Sequence, residues 1–234
     1  MIHKNVLIGG CSFSESKYSE MSQVGDWIPY SDLIQKNYSN IHIKNTARAS
    51  ASNTEISENI VNEIVNSNFN YDFVIVQWTA IGRNVGMGEK EWLTYCIENN
   101  LIDRLSNYDE YSDKKLPEGR TSSQNDLVSY NHYKKSLIKI KLTQSFLEYH
   151  KIPYIFFWGW RQITDDVYKE HKKLVDTIYS ANWWYPNHRY DGFLQYVINN
   201  IGEEDGISND NLHPSSEGHL SFFNNILNPI LNDK

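Results

Sequence analysis

Two hydrophobic patterns alternate along this chain. Val6-Leu7-Ile8, Phe73-Val74-Ile75-Val76-Gln77 and the stretch from Pro153 to Trp158 are short, nearly continuous apolar runs bounded by turn-forming residues. Such runs are the pattern of strands buried on both faces in a parallel sheet. Ile41 to Asn45 alternates and predicts a shorter strand. Between the runs, apolar positions recur at helical spacing. Asp26 to Tyr38 carries Trp27, Ile28, Leu33 and Ile34, with an early interruption at Pro29, and a second helix repeats Ile56, Ile60 and Ile64. Either Ser52 or Asn53 suits that helix as an N-cap. Further helices are predicted over 126–150 and 165–180, and a last one through Phe222, Phe223, Ile226 and Leu227, with Pro214 in its first turn.

Strand and helix thus alternate as in βαβ units, which predicts a single α/β domain over residues 1–234 built on a parallel sheet. Residues 85–125 break the rhythm. They combine a possible helix from Glu89 to Leu105 with a charged, tyrosine-rich segment from Asn107 to Asn125, and are expected to form an insertion over the site or a surface excursion.

Ligands of open α/β sheets bind at the carboxyl ends of the strands, so the loops there carry the candidate chemistry. The first run ends in Gly9-Gly10-Cys11-Ser12, and its glycines are expected to let the backbone turn sharply and present Ser12 at that edge. A second loop, Asn45 to Asn53, is small and polar. A third is Trp78-Thr79-Ala80-Ile81-Gly82-Arg83-Asn84, and a fourth is Gly159-Trp160-Arg161-Gln162.

Composition narrows the possibilities. A net charge of −7 with no long Lys/Arg run excludes a phosphate-backbone or anionic-membrane surface, so neither a nucleic acid nor a membrane is an expected partner. Two cysteines, Cys11 and Cys96, are too few for a disulfide framework and show no metal-ligand spacing; no cofactor or metal is expected. The absence of a signal-peptide pattern and of a membrane-length apolar run, together with reduced thiols, leads to the expectation of a cytoplasmic protein. The 16 tyrosines and 7 tryptophans, including the loop Trp183-Trp184-Tyr185-Pro186-Asn187-His188, suit stacking on sugars or filling of the core.

A serine hydroxyl becomes a nucleophile only when a base takes its proton and a further group orients that base. Asp210 and His213, in Asp210-Asn211-Leu212-His213-Pro214, supply that pair near the carboxyl terminus. Gly-x-Ser after the first strand, a small-residue block from Asn45 to Asn53 after the second, and Asp-x-x-His-Pro near the end follow one another across almost the whole chain. In these motifs and their order the chain resembles the SGNH/GDSL hydrolases.

The resemblance implies a three-layer α/β/α sandwich with a flavodoxin-like parallel sheet, and ester hydrolysis through an acyl-enzyme. Ser12 is then the nucleophile, His213 the general base and acid, and Asp210 its orienting partner. The family's oxyanion donors correspond to the Ser12 backbone N–H, the N–H of Ser50 where the family has glycine, and a third group. The family's Gly-x-Asn is missing here, so Thr79, Arg83 or Asn84 stands in, or the third donor is absent. Cys11 replaces the usual Asp beside the nucleophile, and its side chain is expected to point away from that of Ser12. Arg83 and Arg161 suit a substrate carboxylate, sugar hydroxyls or an internal ion pair. His188 and His219 are expected to face solvent rather than substrate.

The function expected on this basis is a serine esterase that removes a small acyl group, such as acetyl, from a glycan or another polar small-molecule substrate. The alternatives are an O-acyltransferase and a non-catalytic glycan-binding module on the same fold. The oligomeric state is left open.

Overall fold

A computed structural model describes residues 5–17, 27–68, 70–79, 122–160, 165–179, 182–209 and 213–232. Among these residues the sheet has four parallel strands, β1 (Asn5–Gly9), β2 (His42–Asn45), β3 (Phe73–Trp78) and β4 (Tyr154–Trp158), in the order β2-β1-β3-β4. The register aligns Leu7 with Val74 and Lys44, and Val74 with Tyr154. Beyond β4, Trp183 forms a parallel bridge to Phe156, so the chain starts a fifth position at that edge.

Alternation along the strands divides the core in two. Leu7, Val74, Val76, Trp78, Phe156 and Trp158 face one side; Val6, Ile8, Phe73, Ile75, Ile155 and Phe157 face the other. The first face is covered by α2 (Asn53–Asn66), α3 (Ser122–Tyr149) and α4 (Asp165–Ile178), which contribute Ile56 and Ile60, Leu137 and Ile140, and Val175 and Ile178. The second is covered by α1 (Tyr30–Asn37), α5 (Phe193–Asn200) and the carboxyl-terminal helical run, which contribute Leu33 and Ile34, Phe193 and Val197, and Phe222 and Leu227. The terminal run comprises α7 (Ser216–Phe222), a π-helical turn over Phe223–Leu227 and α8 (Asn228–Asn232), and is preceded by the short α6 (Glu203–Gly206). The architecture is the three-layer α/β/α sandwich with the flavodoxin-like strand order that the family resemblance implies.

Several boundaries differ from the sequence reading. The helix expected from Asp26 starts at Tyr30, because Pro29 occupies the N-cap in an extended conformation (φ −65°, ψ 153°) and the residue before a proline is itself biased away from helix. Ser52, not Asn53, caps α2: its hydroxyl accepts from Glu55 N–H while the Glu55 carboxylate accepts from Ser52 N–H. α3 begins at Ser122, so the last four residues assigned to the 85–125 insertion belong to a helix; their polar side chains carry no periodicity to announce it. Residues 85–121 lie outside the described residues. Pro214 is not in the first turn of α7. It sits ahead of the Ser215 N-cap and bridges antiparallel to Ile207. α5 went unassigned in the sequence, although Phe193, Tyr196 and Val197 give its buried face at helical spacing.

For Trp183 and Trp184 of the Trp183–His188 segment, the structure favours core filling over stacking on a ligand. Trp183 is buried in the first core cluster and Trp184 packs on the second, so space filling accounts for both rings.

Candidate active site

β1 delivers Ser12 to the carboxyl edge of the sheet, in a turn closed by Ser14 N–H donating to Cys11 C=O at 3.0 Å. Gly9 and Gly10 permit this through close approach rather than unusual backbone angles, since among the described residues the only glycine at positive φ is Gly202. A Cβ on Gly9 would lie 2.6 Å from Ile60 Cδ1 of α2, and one on Gly10 would lie 2.6 Å from Ser14 Oγ. These contacts draw the helix and the loop tight against the end of the strand.

The loop is then fixed from both neighbouring strands. From β2, Asn45 Nδ2 donates to Ser14 C=O at 2.7 Å, and past its end Arg48 N–H donates to Gly10 C=O at 3.2 Å. From β3, the buried Gln77 Oε1 accepts from Cys11 N–H and from the Cys11 thiol, both at 3.2 Å, and from Ser14 Oγ at 3.3 Å. Gln77 Nε2 donates to Trp78 C=O at 2.8 Å, so both ends of the amide are engaged. Ser14 Oγ also bonds the Tyr30 hydroxyl of α1, and burial pushes the Tyr30 phenol well above its usual titration range.

His213 reaches this loop from the segment before α7. Its Nε2 lies 2.8 Å from Ser12 Oγ. The imidazole stacks on Trp27 with centroids 4.6 Å apart and planes at 14°, and meets the edge of Phe13 at 5.3 Å and 70°. Trp160, after β4, packs on Phe13 at 4.2 Å. Two of the three residues singled out for nucleophilic chemistry therefore meet within hydrogen-bond reach. Asp210 lies outside the described residues.

Ser50 adopts φ +63°, the left-handed region that glycine enters freely and other residues enter at a cost. The residue lacks glycine's freedom but takes the glycine-like conformation, in a turn closed by Ala51 N–H donating to Arg48 C=O at 3.1 Å. Thr79 is fully buried, and its main-chain N–H donates to Asn53 Oδ1 at 2.9 Å, so that donor is already committed. Arg83, Asn84 and Arg161 lie outside the described residues.

Two expectations about neighbouring side chains are corrected. Cys11 does not point clear of Ser12: its sulfur is 3.9 Å from Ser12 Oγ, because the thiol turns inward to donate to Gln77. It is wholly buried, which keeps it from a substrate. His219 does not face solvent. It is 0% exposed, its Nδ1 accepts from Tyr30 N–H at 3.2 Å, and burial, with a contribution from His213, lowers its pKa to about 3. Its position on the inner face of α7, at helical spacing from Phe222, is the signal that the sequence offered. His188 is exposed, as expected.

Sequence reasoning passed over Gln77, Asn53 and Trp27. Gln77 is the penultimate residue of β3, whose other residues are apolar, and that single polar position on a two-sided buried strand was the available signal. Among the described residues no group of three or more His, Cys, Asp or Glu side chains is placed to hold a metal ion. No described helix is long and apolar enough to cross a membrane.

No family model matches the sequence, and no curated protein matches it. Solved structures do. The chain is similar to the psychrotrophic esterase EstA from a Pseudoalteromonas species, described as inhibited by monoethylphosphonate, with 12% identity, TM-score 0.54 and coverage of 97% of this chain and 96% of that one. It is similar to the lipase Lip_vut3 from a goat rumen metagenome, with 13% identity, TM-score 0.50 and 94% coverage of each chain. AlinE4, described as an SGNH-hydrolase family esterase, aligns at 14% identity and TM-score 0.46 over 97% of this chain and 94% of that one. At such identities the likeness is one of fold. The α/β fold of this chain is that of the esterase and the lipase, along nearly their full lengths.

Proposed function

We propose that the protein is a serine ester hydrolase in which Ser12 attacks the ester carbonyl and His213 takes its proton. The observation that carries this reading is the 2.8 Å contact between Ser12 Oγ and His213 Nε2 at the carboxyl edge of a parallel sheet. A serine needs such a base to attack at neutral pH.

In the proposed reaction His213 Nε2 removes the Ser12 proton as Oγ bonds to the carbonyl carbon. The resulting imidazolium then protonates the leaving alkoxide, which leaves an acyl-enzyme on Ser12. Water, deprotonated by the same imidazole, attacks the acyl carbon, and the imidazolium then returns the proton to Ser12 Oγ as it departs, which releases the acid and restores the free serine and neutral histidine. Asp210 is proposed to orient His213. The oxyanion would be held by the backbone N–H groups of Ser12 and Ser50; the left-handed turn at Ser50 supports its assignment as the second donor. With the Thr79 main-chain N–H committed to Asn53, a third donor would come from the Thr79 hydroxyl, Arg83 or Asn84.

A small acyl group on a polar or glycan substrate is the proposed specificity. Phe13 and Trp27 set bulky rings against His213, and Trp160 backs Phe13, a crowding that supports a compact acyl chain.

The test is hydrolysis of p-nitrophenyl acetate. Ser12→Ala and His213→Ala are each expected to lower kcat by at least about 10,000-fold while circular dichroism is unchanged. A fluorophosphonate probe should label the native protein and not Ser12→Ala. Undiminished turnover in both variants, or a native protein that neither hydrolyses the ester nor takes the label, would overturn the proposal. In the second case a binding module becomes the better account.

A further inference from the structure

His213 is not merely enclosed by apolar side chains; one face of its ring lies flat on an indole. Trp27 is 6% exposed, and its ring is 14° from parallel with the imidazole at a centroid distance of 4.6 Å. Its Nε1–H has no hydrogen-bond partner among the described residues. Burying that donor unpaired is a cost that Phe or Leu at the same place would not incur. Trp78 and Trp183 also bury an Nε1–H without a partner among the described residues, so what sets Trp27 apart is its stack on His213. What indole offers beyond the smaller rings is the strongest π face for a cation.

The indole is also tied to the element that follows His213. Ile28 N–H donates to Ser216 Oγ at 2.9 Å, and Tyr30 N–H to His219 Nδ1 at 3.2 Å, both on α7. The segment bearing Trp27 and the segment bearing His213 are thereby held in a common frame, so the stack is not left to side-chain flexibility.

We propose that Trp27 is a positioning residue that acts through His213, its π face stabilising the imidazolium formed when the ring takes the Ser12 proton. This rests on the ester-hydrolase reading. The stack is attractive to the neutral ring through dispersion but more attractive to the cation, so its contribution grows on the way to the transition state, which is what accelerates a reaction. Other titratable or polar groups also bear on His213. Ser12 Oγ faces Nε2, with the Cys11 sulfur behind it. From α7, a protonated His219 would oppose the imidazolium, but burial keeps His219 neutral. Asp210, proposed to pair with the ring, remains the same in every variant of the test.

Site-specific replacement of Trp27 by tryptophans carrying one, two and three ring fluorines preserves shape while weakening the π face stepwise. Two readouts are taken in each protein: the pH profile of p-nitrophenyl acetate kcat/KM, and the proton titration of the ¹³C-labelled His213 ring by NMR, assigned by its loss in His213→Asn. Both the acid limb and the ring titration are expected to move to lower pH with each fluorine, by about half a unit to one and a half units in all. kcat should fall by about 2-fold to 30-fold in parallel. An active enzyme with a flat series overturns the role of Trp27. The NMR readout does not need turnover, so a titration that moves in a protein without esterase activity supports the indole–imidazolium contact and overturns the hydrolase reading instead.

Discussion

Asn53 holds Thr79 by both of its main-chain hydrogen-bonding groups: Asn53 Oδ1 accepts from Thr79 N–H at 2.9 Å, and Asn53 Nδ2 donates to Thr79 C=O at 3.0 Å. A side-chain amide at the start of α2 thus imitates a neighbouring strand and extends the pairing of β3 by one residue beyond Trp78. Both residues are fully buried. Asn53→Ala would leave a buried N–H and C=O without this partner and is expected to cost about 1 to 3 kcal/mol in urea unfolding. It should also lower esterase activity, because the third loop starts at Thr79. A variant as stable as the native protein would show that the amide is not what fixes the loop.

Ser50 supplies a second prediction, through its φ of +63°. Ser50→Gly relieves the left-handed conformation and is expected to keep full hydrolysis, with a stability gain of up to about 1 kcal/mol. Ser50→Val places a β-branched residue where it fits worst and should lose both stability and activity. If valine were tolerated as well as glycine, the turn would not constrain the backbone N–H as proposed.

His219 gives a pH dependence whose sign is set by burial. The folded protein holds the imidazole neutral down to about pH 3, against 6.5 for an ordinary histidine. Below about 6.5 the unfolded chain takes up a proton that the folded chain refuses, so the stabilisation is complete above that pH and is lost as the pH falls towards 3. The slope from this one group approaches about 1.4 kcal/mol per pH unit. Protonation would also convert Nδ1 from acceptor to donor against Tyr30 N–H. His219→Asn, which retains an acceptor, should flatten the dependence of urea stability between pH 4 and 6.5; an unchanged slope would assign the acid sensitivity elsewhere.

Much of the fold was legible because burial on both faces forces a strand to be apolar throughout. Val6 to Ile8, Phe73 to Val76 and Tyr154 to Trp158 could not have been written otherwise in the middle of an α/β/α sandwich. Capping chemistry is local too, and the α2 terminus was legible to within one residue. What failed locally were elements whose signal is set by distant partners. For Trp183 and Trp184 the sequence left sugar stacking and core filling both open, because nothing in the neighbouring sequence reveals that Phe156 would pair with Trp183 as a sheet edge.

The candidate site divides in the same way. The sequence by itself determined the chemical types: a hydroxyl just past the first strand, a histidine before the last helix, and small residues in the second loop, each fixed by local spacing. Only the tertiary structure decided their relations. It brought His213 onto Ser12 across 201 positions, drew three donors of the nucleophile loop onto Gln77, buried His219 and laid Trp27 against the imidazole. The physical reason is that a hydrogen bond or a ring stack depends on distance and angle between atoms, while the chain encodes only which groups are available to make it. Ser50 marks the boundary most clearly: its identity argued against a left-handed turn, and the packing of the loop imposed one.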